Sequence, residues 1–286
     1  MLFADYPVMI TALLTPFDEC GEVAHQAIAE HVEYLATKHV DGLLTCGTTG
    51  EGAALTGDEV AAVAATVATA ARGRIRTIAQ VGRVSTRETI RVAQRAIDGG
   101  ADAVAAVVPY YDAFTEEQIT GHYRALIKAV GPMPVYAYNI PARTGNDLRA
   151  DGLDELAASG LVGIKDSTHS MSRLLEYLDA AERCAAAGYP LHVFSGADAL
   201  AAVSISAGAK GSVNALSNAR PQLFAELKHA LEAADSDQVT CAGADIAAFG
   251  EKLAAGSFLR NLKQATAAVL AAVDIQYPTA LRAPAT

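Results

Sequence analysis

Lys165 is the residue of this 286-residue chain with the most chemistry to offer. It closes the run Leu161-Val162-Gly163-Ile164-Lys165, after which the sequence turns polar at Asp166-Ser167-Thr168. A near-continuous apolar run is what a parallel strand covered on both faces requires, and the residue at its carboxyl end points into the open face of an α/β barrel. Apolar walls desolvate an ammonium and favour the neutral amine, the form that attacks a carbonyl carbon to make a Schiff base. The octapeptide also fits a lysine that snorkels to solvent, and one that simply pairs with Asp166.

Other polar groups fall at the ends of apolar runs. Gly47-Thr48-Thr49-Gly50-Glu51 combines glycines, which permit close backbone approach, with two hydroxyls and free amides able to hold a carboxylate; it also reads as a Gly-rich turn with a Thr cap. Tyr110-Tyr111 and Tyr138 bring phenols that can pass protons beside an amine, or merely pack at a rim. Arg143 is a planar fork suited to a carboxylate on a second substrate. Ser195-Gly196-Ala197-Asp198 and Gly211-Ser212-Val213-Asn214 supply two more ends, the first with a glycine that admits a ligand near the backbone. Of the seven histidines, His25, His31, His122 and His229 are expected on the surface of helices, and His169, shortly after Lys165, is the one kept as a site candidate.

The elements that position these residues repeat. Expected strands at Val8–Leu14, Asp41–Cys46, Ile75–Ala79, Ala103–Val108, Val135–Tyr138, Val162–Lys165, Leu191–Phe194 and Gly211–Val213 alternate with helices at 24–37, 58–70, 86–97, 115–130, near 151–158, 171–187, 197–207 and 221–234. Eight such units at about 30 residues each fit an α/β fold, a (β/α)8 TIM barrel of ~250 residues. A doubly wound sheet would need a GxGxxG turn after the first strand, whereas the Gly-rich segment follows the second. Residues 1–234 are thus expected to form the barrel and 235–286 an extension packed on it, with helices near 238–252 and 258–273.

Composition narrows the classes. Apolar residues make up 51% and charged residues 19%, as in an ordinary soluble enzyme, and the Ala-rich stretch 61–71 suits a helix packed closely on a sheet. With a net charge of −10 and no Lys/Arg block, neither nucleic acid nor an anionic membrane is an expected partner. The four cysteines show no metal-type spacing, so no metal site is expected and reduced thiols fit a cytoplasmic location. The first residues lack a basic segment followed by an apolar one, and no uncharged apolar run has the length of a membrane span.

GTTGE at 47–51, PYY at 109–111, YNIPARTG at 138–145, GIKD at 163–166 and SGAD at 195–198 together resemble the dihydrodipicolinate synthase / N-acetylneuraminate lyase family in order and spacing along nearly the whole chain. The resemblance implies a pyruvate-dependent class I lyase, dimeric or tetrameric, that needs no cofactor beyond the covalent imine between Lys165 and pyruvate. It implies Tyr138 as the acid/base beside the lysine, and Thr48 and Thr49, with Gly47, around the pyruvate carboxylate. Thr48 would link Tyr138 to Tyr111 in a proton relay, with Tyr111 reaching a neighbouring subunit. Gly196 and Val213 would line the pyruvate pocket, and Arg143 would bind the carboxylate of an aldehyde partner.

Some positions depart from the synthase pattern. Asp166-Ser167-Thr168 replaces the usual Glu-Ala, Gly256–Lys263 stands where synthases carry Asn-Pro-x-Pro-Val-Lys, and 111–117 leans toward sugar-acid aldolases. Gly57, Val60 and Val84 occupy places where lysine-inhibited synthases tend to have histidine and asparagine. Condensation of pyruvate with aspartate semialdehyde is the expected reaction. A 2-keto-3-deoxy sugar-acid aldolase or dehydratase, a catalytically dead sugar-acid binding barrel and a metal-dependent class II aldolase are its alternatives.

Overall fold

In the computed structural model, which describes residues 2–4, 6–38 and 40–282, eight parallel strands close into a barrel. They are β1 (Val8–Ala12), β2 (Gly42–Thr45), β3 (Arg76–Gln80), β4 (Ala103–Val107), β5 (Val135–Asn139), β6 (Leu161–Asp166), β7 (His192–Ser195) and β8 (Gly211–Asn214). Each pairs in parallel with the next, and β1 returns to β8 with Ile10 opposite Val213. The sequence reading of a (β/α)8 barrel therefore holds. β1 ends two residues before the expected Leu14, and β6 gains one residue at each end.

Alternation along the strands fills the interior. Ile10, Leu44, Ile78, Ala105, Tyr136, Phe194 and Val213 pack together inside, and Phe3 joins them. The outward residues of the strands meet the helices. In the Ala-rich helix Gly57–Ala71, Val60, Ala61, Val63, Ala64, Val67, Ala70 and Ala71 are buried, and small side chains allow the close approach that the sequence suggested. Thr56 and Glu59 begin this helix with a reciprocal capping box, and Thr115 with Gln118 does the same for Glu116–Val130, so amides left without a partner in the first turn of each helix are satisfied.

Three local features were not expected. A one-turn helix, Pro141–Thr144, interrupts the loop after β5; proline is pre-set for its first position and Gly145, at φ 72°, ends it. The segments 150–152 and 198–200 form 3-10 turns that delay the following helices to Leu153–Ala158 and Ala201–Ser206. His25 and His229 are exposed, but His31 and His122 are buried, contrary to the surface reading. Both lie on the inward stripe of their helices and are neutral there, because burial pushes each imidazole down to about 4; the carbonyl of Asn218 partly offsets this for His31.

After the eighth unit, helices Ser236–Leu253 and Phe258–Ala271 pack where the extension was expected. Ile246, Leu253, Leu262 and Leu270 join one apolar cluster with Met9, Leu14 and Phe224, so these helices share a core with the barrel. Among the described residues, no helix is long and apolar enough to cross a membrane.

Candidate active site

Strand register brings the first two groups together. Tyr138 on β5 is directly opposite Lys165 on β6, and paired residues in a sheet send their side chains to the same face. Lys165 is 8% exposed, and its Nζ sits 4.1 Å from the centroid of the Tyr138 ring. Ser167 follows two residues later on that face, whereas Asp166 points the other way and binds Thr168 through the backbone N–H at 3.0 Å and the hydroxyl at 2.9 Å. The pairing of Lys165 with Asp166 that the octapeptide allowed is thus not made. Burial pushes the Asp166 carboxyl up, and the two bonds from Thr168 only partly offset it.

Thr48 joins from the loop after β2, its Oγ1 3.0 Å from the Tyr138 hydroxyl. Burial alone would raise the Tyr138 phenol. The Lys165 charge and hydrogen bonds with Thr48, Ser167 and Lys165 outweigh it, and the phenol is held below its usual value, which suits a group that gives and takes protons. The loop itself is tight. A Cβ on Gly52 would fall 1.7 Å from the Cys46 carbonyl oxygen, so only glycine allows this crossing, and Thr15 Oγ1 donates to the Gly50 carbonyl at 2.7 Å.

Gly196 has a comparable constraint. A Cβ there would lie 2.1 Å from Ser167 Oγ and 2.7 Å from Lys165 Cε, so glycine leaves the lysine its channel. Val213 is buried with Lys165, Tyr138, Phe194 and Ile10 around a small void, the floor of the site. Above it opens a cleft of about 690 Å3 with Gly47, Thr48, Thr49, Tyr110, Tyr138 and Arg143 on its walls. Every predicted site residue but one therefore lines the cleft, its floor or the lysine channel. The exception, Tyr111, is 89% exposed with φ 87°, a backbone state that a tyrosine rarely adopts, and Tyr110 is the one that lines the cleft. His169 is likewise exposed, with φ 58°.

Two groups escaped the sequence reading. Ser167 was noted only as a departure from a motif, although its i+2 spacing from Lys165 on a strand placed it on the same face. Glu51 was read as part of a turn. It is a left-handed residue, φ 52°, whose carboxylate lies 2.6 Å from Lys263 Nζ and accepts the Arg282 backbone N–H at 2.9 Å. Lys263 also donates to the Ala280 carbonyl at 2.7 Å, and the Arg282 guanidinium reaches the Gly21 and Ala54 carbonyls and Glu59. The end of the chain thus holds the threonine-bearing loop, through residues too distant in sequence to be paired by pattern.

A lysine at a barrel strand tip, stacked on a phenol that a threonine engages, defines a site suited to carbonyl chemistry. Comparison with known proteins supplies the family. The model of the dihydrodipicolinate synthetase family matches residues 6–286, and the chain belongs to that family. It is 37% identical over 245 residues to a 4-hydroxy-tetrahydrodipicolinate synthase of Alkalilimnicola ehrlichii, covering 85% of this chain and 82% of the relative. Among solved structures, the chloride-inhibited dihydrodipicolinate synthase of Acinetobacter baumannii, complexed with pyruvate, is 31% identical with a TM-score of 0.87 over 99% of this chain and 93% of that one. A variant of Sulfolobus solfataricus 2-keto-3-deoxygluconate aldolase is 27% identical with a TM-score of 0.85 over 95% and 88%.

Proposed function

We propose that this chain is a class I, pyruvate-dependent lyase acting as a 4-hydroxy-tetrahydrodipicolinate synthase, which condenses pyruvate with aspartate semialdehyde. The observation that carries the reading is the Lys165–Tyr138–Thr48 constellation at the base of one cleft. Once it has given up a proton, the Lys165 amine attacks the keto carbon of pyruvate, Tyr138 protonates the carbinolamine oxygen, and water leaves as the imine forms. Thr49 and the amides of the Gly47 loop hold the pyruvate carboxylate. Loss of a methyl proton gives an enamine, which adds to the aldehyde carbon while the aldehyde oxygen takes up a proton. Arg143 at the cleft wall binds the carboxylate of the aldehyde, and Gly196 and Val213 shape the pocket for the pyruvate half.

The exposure and strained backbone of Tyr111 support a role in a neighbouring subunit, where it would extend the Thr48 relay; a homodimer or homotetramer follows from this reading. The chemistry requires no cofactor. Residues 1–234 serve as the catalytic barrel and 235–286 as the extension that holds its β2 loop. One observation favours a 2-keto-3-deoxy sugar-acid aldolase instead: Ser167 adds a hydroxyl beside Tyr138 where hydroxylated substrates would profit.

Treatment with pyruvate and borohydride should add the mass of one reduced pyruvate per chain. Steady-state kinetics should then give a higher kcat/KM for aspartate semialdehyde with pyruvate than for cleavage of 2-keto-3-deoxy acids, and Arg143→Ala should cut it by about 10- to 100-fold. Efficient cleavage of a sugar acid with aspartate semialdehyde ignored would overturn the synthase reading, and absence of the adduct would overturn the imine itself.

A further inference from the structure

Gln80, the last residue of β3, lines the same cleft, yet the reaction sketched above gives it nothing to do. It stands two residues beyond Ile78, which packs inside the barrel, so its side chain points inward at the site end, where it is buried. Both ends of its amide are engaged. Nε2 donates to the Cys46 carbonyl at 3.3 Å, and Oε1 accepts the backbone N–H of Gly82 and, at 3.3 Å, that of Val107. Two N–H donors at one end and a carbonyl at the other fix which end is oxygen. The last paired residues here are Thr45 with Ala79 and Gln80 with Ala105, so Cys46 and Val107 both lie beyond them. One side chain thus joins the tips of β2, β3 and β4.

Each contact bears on the catalytic groups. Cys46 comes just before Gly47-Thr48-Thr49 and is itself left-handed, φ 55°, a state that a residue with a Cβ keeps only where its surroundings impose it. Its carbonyl is the group that Gly52 crosses so closely. On the far side, Val107 is the register partner of Tyr138. Gln80 therefore reaches from the residue before the Thr48 loop to the residue beside Tyr138, and so ties together the two sides of the 3.0 Å contact between Thr48 Oγ1 and the phenol. β2 and β5 are not neighbours in the barrel, so strand pairing between them cannot set that distance.

We propose that Gln80 is a positioning residue: its amide holds the Cys46 carbonyl, keeps Thr48 within reach of Tyr138, and so acts on proton transfer through Thr48 rather than by contact with pyruvate. This rests on the imine reading of the site.

Gln80→Glu separates the two ends of the amide. At about pH 8, well above the ordinary carboxyl range, the carboxylate still accepts from Gly82 and Val107 but has no hydrogen to give Cys46. The rate of borohydride-trapped pyruvate at saturating pyruvate should fall at least about 10-fold. Gln80→Met, which keeps the length without either polar end, is the second variant and should do the same. A double-mutant cycle then distinguishes positioning from general damage. Thr48→Val should slow trapping by itself, and Gln80→Glu added to it should cost less than about 2-fold more, because no hydroxyl remains to be placed. Amide exchange, which needs no turnover, should quicken over 47–54 in both Gln80 variants and stay parental around Lys165. Parental trapping in the Gln80 variants, full additivity with Thr48→Val, or unchanged exchange over 47–54 would each overturn the proposal. A parent that traps no pyruvate sinks the imine reading while exchange still reads whether Gln80 holds the loop, and a trapped adduct without a Gln80 effect sinks the positioning alone.

Discussion

Two buried lysines, Lys165 and Lys263, 98 residues apart in sequence, show what decides whether such a residue does chemistry. Lys263 is 0% exposed and Lys165 8% exposed, so burial does not separate them. Their partners do. Lys263 faces the Glu51 carboxylate at 2.6 Å, a backbone carbonyl at 2.7 Å and the Phe17 ring at 4.6 Å. Burial pushes its ammonium down while the hydrogen bond and charge of Glu51 push it back up, and every donor direction is taken by a fixed protein group. Lys165 faces the ring of Tyr138, with Thr48 and Ser167 behind the phenol and an open cleft above. A cation neutralised by the fold holds the fold, whereas one left against a ring and titratable hydroxyls is free to exchange its proton and bond to carbon.

Replacing each lysine should break the comparison most sharply. Lys165→Ala should abolish the borohydride-trapped pyruvate and lower kcat by on the order of 10^4-fold or more, while Lys263→Met, if soluble, should keep the adduct. An adduct retained in Lys165→Ala would put the nucleophile elsewhere. Tyr138→Phe should be next, with kcat reduced by about 10^2- to 10^4-fold because the proton has lost its carrier, and imine formation measured by trapping should slow in parallel. A Phe variant with unchanged trapping rate would confine Tyr138 to later steps.

Glu51→Gln probes the other lysine. Removing one partner of a buried ion pair strands the second charge, and the cost is about 3–5 kcal/mol, read as a fall in the denaturation midpoint. Because Glu51 belongs to the loop that bears Thr48 and Thr49, KM for pyruvate should rise more than kcat falls. Loss of stability with KM unchanged would show that the clamp does not position the loop.

The barrel and Lys165 were legible because both depend on short-range pattern. Strand periodicity, a repeat of similar units and five motifs at strand ends all survive in a linear string. The Glu51–Lys263 pair was not, because 211 intervening positions separate its members and neither stands in a chemical motif. Gly256–Lys263 drew notice for the proline motif it lacks, while the lysine it keeps is the part that reaches the β2 loop. Gln80 was passed over for a related reason: nothing in Ala79-Gln80-Val81 says that its amide joins the tips of three strands. His31 and His122 were misread because residue type was weighed above spacing: Ile28 and Leu35, and Ile119 and Leu126, at i−3 and i+4 already put each histidine on the apolar stripe of its helix.

His31 also supplies the smallest expected effect, and it acts on the structural lysine's side of the molecule. Its Nε2 lies 3.1 Å from the Asn218 carbonyl, and its ring is edge-on to Tyr277 at 5.2 Å, three residues before the Ala280 carbonyl that Lys263 holds. Burial lowers the folded imidazole from 6.5 to about 4, so the unfolded chain takes up a proton in that window while the folded chain does not. Stability is complete above pH 6.5 and falls as pH drops toward about 4, by about 3 kcal/mol at most from this group. Urea midpoints at neutral pH and at two acid values should decline accordingly, and His31→Gln should flatten that slope. Since the protonated ring would press on Tyr277, amide exchange in 277–282 should quicken in acid before it does around Lys165. Equal acid sensitivity in the parent and the Gln variant would remove His31 from the account and leave His122 and His192, each also lowered to about 4, to explain the loss.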